Sequence, residues 1–319
     1  MNLRRPFLGT TAIAAGVVTP KQLRGPSFRG LCRGVFVAAD VELTYLLRCE
    51  AGALAMGALA VLPSGIRPGT PPGPTALAGW SAAEMLGAEC APLRVPVEVL
   101  VTAGHRRSQQ GLWARHGRAL PGELRSGVPI PVPGSRHRHV PGRMVTTTSA
   151  LRTAFDLARR EERIDAVIAL DALSRVGEFA PGAVLEVAAR HPGERGIARL
   201  PGLVALANPL AESPMETRVR LALHDHGVRP PVLQHPVGAY RIDLAYPDLL
   251  LGIEYDGGCH LSPEQARADL ARQAFLVRRG WEILRPLAEH VLHRPAHLAD
   301  VVGHQLVERA APGRSRSSA

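Results

Sequence analysis

The stretch Leu249-Leu250-Leu251-Gly252-Ile253-Glu254-Tyr255-Asp256-Gly257 constrains this chain more than any other. An apolar run ends in two acids, and a third, Asp243, closes Tyr240-Arg241-Ile242-Asp243 eleven residues before Glu254. Apolar β-rich segments do not carry carboxylates at their ends without a partner or exposure, because an unpaired buried charge is costly. Tyr246-Pro247-Asp248 lies between the two runs as a turn signal. Strands over residues 240–245 and 249–255, joined by that turn, put Asp243 directly or diagonally across from Glu254. Such neighbours lie roughly 5–8 Å apart. Two carboxylates that close repel unless one is protonated or a divalent cation lies between them. Oxygen ligands alone suit a hard cation such as magnesium.

The surrounding elements follow a regular order. Ser213-Pro214-Met215-Glu216 reads as a capping box with proline at the first helical position, opening a helix to about His226. Glu216 is then either a helix cap or a third acid of the site, and the two roles can coexist. Strands over 232–237, 240–245 and 249–255 come next. Ser262-Pro263-Glu264-Gln265 opens a second helix to about Arg279, and Gly280 stops it. Trp281 to Arg285 is a last strand. The order is αβββαβ.

These blocks resemble the uncharacterised nuclease-like domain similar to very-short-patch repair endonucleases, within the restriction-endonuclease-like PD-(D/E)xK superfamily. The residues that carry the resemblance are Ser213 to Arg218, Gln234, Arg241-Ile242-Asp243, Glu254 to Gly257, His260, Asp269, Arg272 and Gly280-Trp281. The resemblance implies a metal-dependent endonuclease that hydrolyses DNA phosphodiesters with magnesium or manganese. Asp243 and Glu254 would ligate the metal with the carbonyl of Tyr255, and Glu216 would be the helix-borne acid. Asp256 stands where the superfamily usually has lysine, and the only lysine in the chain is Lys21. His260 is the candidate that takes a proton from water, with Asp256 as a further catalytic acid; the bland alternative for His260 is a hydrogen-bonding loop residue. Arg267 and Arg272 on the second helix either hold phosphate or pair along the helix with Asp269.

Charge separates two parts of the chain. Of its 319 residues, 38 are basic and 28 acidic, and all the basic ones but Lys21 are arginine. From Ser213 onward 13 basic residues nearly balance 12 acidic ones. The excess lies upstream: Arg94 to Arg143 holds nine arginines against Glu98 and Glu123. A basic segment of this kind attracts the phosphate backbone regardless of sequence. Arg106, Arg107, Arg115, Arg118, Arg136 and Arg138 are the candidate nucleic-acid contacts, against the alternative of a solvated arginine-rich surface. The four cysteines show no metal-ligand spacing, so free thiols in an intracellular protein are expected.

At the N-terminus, Arg4-Arg5-Pro6-Phe7-Leu8 and the residues to Val18 have the outline of a twin-arginine export signal. Gly9, Thr10, Thr11 and Gly16 dilute its apolar core, and a cytoplasmic protein is expected. A helix start at Thr19-Pro20 and a strand at Gly34 to Val37 give a winged-helix-like outline over residues 1–45. The apolar run from Ala51 to Leu62 is too short to span a bilayer. Residues 63–74 read as a surface loop, 121–141 as irregular connections between short strands, and 313–319 as a disordered tail. Helices are expected over Ser149 to Arg160, Ile164 to Val176 and Pro181 to Arg190, the first with an Arg152–Asp156 ion pair. Pro6 to Gly9, Arg33 to Val37, Ser81 to Ala83 and Thr146 to Ala158 resemble the AbiEi-type antitoxin family of abortive-infection systems. This implies a winged-helix DNA-binding region, a middle region over 46–205 and a toxin or defence-system partner. The expected fold class is therefore α/β (α+β), with a winged-helix-like start and a restriction-endonuclease-like domain over 206–312. The expected activity is that of the endonuclease; the alternative is a non-catalytic DNA-binding regulator of the antitoxin kind.

Overall fold

The computed structural model describes residues 1–61, 74–132, 135–255 and 263–311. The chain is mixed α and β, and divides into two compact units, Met1–Ala205 and Leu206–Ala319.

The first unit opens with β1 (Phe7–Leu8), α1 (Gly9–Ala14), α2 (Pro20–Leu23), β2 (Phe28–Cys32) and β3 (Val35–Ala38). The strands form a sheet of order β1-β3-β2. Two short helices are followed by a β-hairpin. α2 starts at Thr19 because Thr19 and Gln22 form a reciprocal capping box. Phe7, Ala12, Val18 and Leu23 make a small core of their own, with Phe7 edge-on to Phe28 at 5.7 Å. Residues 4–18 are thus built into the fold. Arg5 also pairs with the fully buried Glu50, which Arg143 holds from the other side.

Next come α3 (Tyr45–Met56), β4 (Leu59–Val61), β5 (Thr75–Leu77), α4 (Gly79–Met85), β6 (Val97–Val101), β7 (Leu112–His116), β8 (Leu124–Val132) and β9 (Ser135–Thr148). They build a mixed six-stranded sheet of order β4-β9-β5-β6-β7, with β8 beside β9. Leu46, Cys49 and Met56 of α3 pack on Val97, Val99, Leu112, Ile130 and Val145 of the sheet. Within 121–141 the described residues form two antiparallel paired strands, β8 and β9, not the irregular connections between short strands expected from the prolines. β8 pairs on one side only, and register shifts flank Pro131. A strand edge and a bulge are where proline, which cannot donate to the ladder, is tolerated.

α5 (Ala150–Arg160), α6 (Arg163–Gly177), α7 (Ala183–Arg190) and α8 (Leu200–Leu206) complete the helical part. Ser149 caps α5, and Arg152 pairs with Asp156 at 2.8 Å. Arg152 is itself buried and also pairs with Glu123. Gly196 has φ of +84°, and a Cβ there would lie 2.0 Å from the Arg159 carbonyl oxygen, so only glycine fits.

The second unit runs α9 (Pro214–Asp225), β10 (Val232–Val237), β11 (Tyr240–Tyr246), β12 (Leu251–Ile253), α10 (Pro263–Arg278), β13 (Glu282–Leu284), α11 (Ala288–His293) and α12 (Pro295–Ala310). This is the αβββαβ order with two further helices. The sheet order is β10-β11-β12-β13; the first two pairings are antiparallel and the last is parallel. Val219 and Leu223 of α9 and Leu298, Val302 and Leu306 of α12 cover Leu244, Tyr246, Leu251 and Ile253. Leu276 of α10 packs with Ile242, Ala245 and Trp281. Helices flank the sheet, which is why β12 is apolar throughout and the second half of β11, Leu244 to Tyr246, is buried. Residues 62–73 and the tail from 312, including those read as loop and tail, lie outside the described residues. Among the described residues, no helix is long and apolar enough to cross a membrane.

Candidate functional site

The site follows from the register of β11 on β12. Leu244 pairs with Ile253, Ala245 with Gly252 and Tyr246 with Leu251. Continuing that register by one residue sets Asp243 directly opposite Glu254. β12 is shorter than the sequence suggests, because Pro247–Leu249 forms a 3-10 turn and Leu250 takes a left-handed conformation. The turn still closes with the spacing that opposes the two acids.

On the other side of β11, Gln234 of β10 falls opposite Asp243, between the pairs Leu233–Leu244 and His235–Ile242. Gln234 has φ of +52°, rare for a non-glycine residue inside a strand. Its side-chain amide donates to Glu216 Oε2 at 3.1 Å. Strain of this kind persists where the surroundings over-determine it, and it concentrates at functional sites.

Glu216 sits in the first turn of α9 and is buried. Ser213 Oγ accepts from the Glu216 N–H at 3.2 Å, as the capping reading requires. The reciprocal half differs from the expected box. Glu216 Oε2 accepts from the backbone N–H of Glu212, at 2.9 Å, and not from that of the cap residue. The same oxygen takes the Gln234 amide, so this carboxylate ties the start of α9 to β10.

Burial pushes the Asp243 carboxyl from 3.8 up to about 7, and the negative charges of Glu216 and Glu254 add to the shift. Arg272 opposes it, and Glu212 adds to it. Glu254 is 6% exposed. Arg272, from α10, clamps both of its oxygens as a fork, with Nη1 to Oε2 at 2.7 Å, and also donates to the Arg241 carbonyl at 2.7 Å. Arg285 approaches Glu254 at 3.9 Å and Asp269 at 3.7 Å. A fork of this geometry is a strong, oriented pair.

The structure therefore brings Asp243, Glu254 and Glu216 into one electrostatic neighbourhood with Gln234 and Arg272. It does not set three of them around a single point: among the described residues, no group of three His, Cys, Asp or Glu is spaced to hold a metal ion. Tyr255 follows Glu254 and packs on the core of the second unit. Asp256 and His260 lie outside the described residues, as does Ser262. Arg267 is exposed on α10. Arg272 is spent on Glu254, an acid the helix-pairing alternative did not foresee, because the two meet only through the fold. Gln234 was visible in the sequence as part of the resembling pattern; its strained backbone was not.

In the first unit, Arg106, Arg107 and Arg118 are exposed. Arg115 pairs with Glu98 at 2.6 Å. Arg136 and Arg138 lie on β9, and their side chains are outside the described residues.

The family model REase_MTES_1575, a restriction-endonuclease-like family, matches residues 215–306. That match covers the helix, strands and acids described above, and the C-terminal domain is restriction-endonuclease-like. Two uncharacterized proteins of Mycobacterium tuberculosis, MT2308 and Rv2248, are each 34% identical to this chain over 179 residues. The alignment covers 54% of this chain and 65% of each relative, so the chain spans less than two thirds of their length.

Proposed function

We propose that this protein is a metal-dependent endonuclease that hydrolyses DNA phosphodiesters in the cytoplasm, of the class similar to very-short-patch repair enzymes. The observation that carries the reading is the register of β11 on β12, which continued by one residue sets Asp243 opposite Glu254, with burial and the charges of Glu216 and Glu254 raising the Asp243 carboxyl to about 7. The residues fit a hard divalent cation: two facing carboxylates and a nearby carbonyl are the donors magnesium or manganese prefers. Asp243, Glu254 and the Tyr255 carbonyl would hold it, and the ion would supply Lewis acidity toward the scissile phosphate. Arg272 holds both oxygens of Glu254 and so fixes the orientation of its carboxylate. Glu216 and Gln234 tie the start of α9 to β10, the strand beside Asp243. His260 would take the proton from the attacking water, and Asp256 stands in the sequence where lysine is usual. DNA would be held by the exposed arginines.

The test is incubation of the purified protein with plasmid and single-stranded DNA, in magnesium, in manganese and in chelator. Divalent-dependent cutting that disappears in Asp243→Ala and Glu254→Ala supports the reading; no cutting under any condition sinks it. A second reading has its own support. Asp256 replaces the lysine, and the Arg272 fork already neutralises Glu254. A non-catalytic, DNA-binding regulator of the AbiEi antitoxin type, with a toxin or defence-system partner, would bind DNA tightly in chelator and leave it intact.

A further inference from the structure

The first unit holds a surface that the acid site does not use. β7 is the outer strand of the six-stranded sheet. It carries Trp113 and Arg115 on one face, with the Arg115 guanidinium over the Trp113 ring at 5.4 Å. Trp113 is 47% exposed, whereas Trp80 and Trp281 are 5% and 6% exposed. An indole left half open on a strand offers a flat face on which a base can stack.

The turn before β7 is folded back beside it. Gln109 and Leu112 exchange backbone hydrogen bonds of 2.7 and 3.0 Å, and the Ala114 N–H donates to Ser108 Oγ at 3.0 Å. His116 Nε2 donates to the Arg106 carbonyl at 2.9 Å, and its ring stacks on His105 at 5.7 Å. Arg106 and Arg107 are therefore held alongside the strand, not on a loose loop. From Val99 to Gly122 there are four arginines and two histidines and no acid. On the inner side of β7 a cleft of about 390 Å³ is lined by Arg115, Arg159, Arg160, Glu98 and Asp156. Glu98 is shared by Arg115 and Arg160, at 2.6 and 2.7 Å.

We infer that this edge is a groove for single-stranded nucleic acid, in which an unpaired base stacks on Trp113 and the flanking phosphates meet Arg106, Arg107 and Arg118. A duplex hides its base faces inside the stack, so an open indole beside acid-free arginines suits a strand with exposed bases. The Arg115 guanidinium behind the ring fixes its plane. This deepens the nucleic-acid reading above and names the form of the partner, and it holds whether or not the acid site cuts.

The experiment is a titration of the whole chain, in chelator at low salt, with a twelve-residue oligo(dT), an oligo(U) of the same length and a duplex, followed by tryptophan fluorescence. Trp113 alone of the three tryptophans is open to quenching. Quenching by the single strands, duplex binding at least tenfold weaker, and a loss of about tenfold or more in Trp113→Ala with partial retention in Trp113→Phe support the groove. Comparison of the two single strands tells DNA from RNA. Equal affinity for duplex, unchanged binding in Trp113→Ala at an unchanged melting temperature, or no binding overturns it. Chelator keeps the outcome separate from cleavage: a failed nuclease assay leaves this result standing, and failure here leaves the nuclease reading untouched.

Discussion

Asp243→Asn should stabilise the protein while removing its response to a divalent cation. The Asp243 carboxyl moves from 3.8 in the open chain to about 7 in the fold, first because of burial and then because Glu216 and Glu254 lie close. The folded value exceeds the unfolded one, so the ionised group opposes folding. Below about pH 4 both states are protonated and the cost is absent. It grows as pH rises from about 4 to about 7, and is complete above that. Three pKa units correspond to about 4 kcal/mol with no screening. The side chain is partly open to solvent, and screening reduces this to about 1–2 kcal/mol. The neutral amide removes the cost, so in chelator at pH 8 the variant should melt about 5 °C higher than the native protein. At pH 4 the two should coincide. Magnesium should raise the native melting temperature by preferential binding to the folded state and leave the variant unmoved. Calorimetry at pH 4, 6 and 8, with chelator and with magnesium, makes the measurement. A variant no more stable than the native chain at pH 8 would refute the argument that charge crowding at Asp243 is what a cation relieves.

Other substitutions probe the rest of the structure. Arg272→Lys should fail to replace the fork on Glu254, since an ammonium cannot match both oxygens; divalent-dependent activity should drop in both Arg272→Lys and Arg272→Ala, and full rescue by lysine would contradict the geometry. Glu50→Ala should destabilise the first unit by about 3–5 kcal/mol in urea unfolding, because Arg5 and Arg143 lose their buried partner. Gly252→Ala should cost about 1–3 kcal/mol, as the new Cβ meets Ile283 Cδ1 at 2.7 Å and Ile242 Cγ2 at 2.8 Å; an unchanged melting temperature would show that the sheet shifts to admit it. Replacing Arg106, Arg107 and Arg118 together with glutamine should flatten the logarithmic salt dependence of nucleic-acid binding by about 2–3 in slope, and an identical slope would assign these arginines to solvent.

The facing of Asp243 and Glu254 was legible in the sequence because strand side chains alternate with period two and the turn at Tyr246-Pro247-Asp248 sets the register. Helix starts at Thr19, Ser149 and Ser213 were legible for a similar reason: a cap is a local interaction between residues three apart. The hairpin of β8 and β9 was not, since proline and glycine signal breaks, and only the tertiary position of β8 at an edge reveals why Pro129 and Pro131 are tolerated. The partners of Glu50, 45 and 93 residues away in sequence, and the Arg272 fork, 18 residues from Glu254, depend on packing that no spacing rule encodes.

The same distinction decides which arginines can meet phosphate. Composition alone counts them alike, but an arginine clamped on a buried carboxylate cannot leave without exposing that charge to a dry interior. Arg115 and Arg160 are committed to Glu98, Arg152 and Arg159 to Asp156, and Arg272 to Glu254. Among the described residues, no acid is paired with Arg106, Arg107, Arg118 or Arg267. The nucleic-acid affinity of the chain should therefore reside in this second set. A substitution in the first set should lower stability before it lowers binding, and one in the second should do the reverse. Measuring melting temperature and oligonucleotide affinity on Arg160→Gln and Arg107→Gln separates the two. Loss of affinity at full stability in Arg160→Gln would show that its pair with Glu98 opens to the ligand, and would move the phosphate contacts into the cleft behind β7.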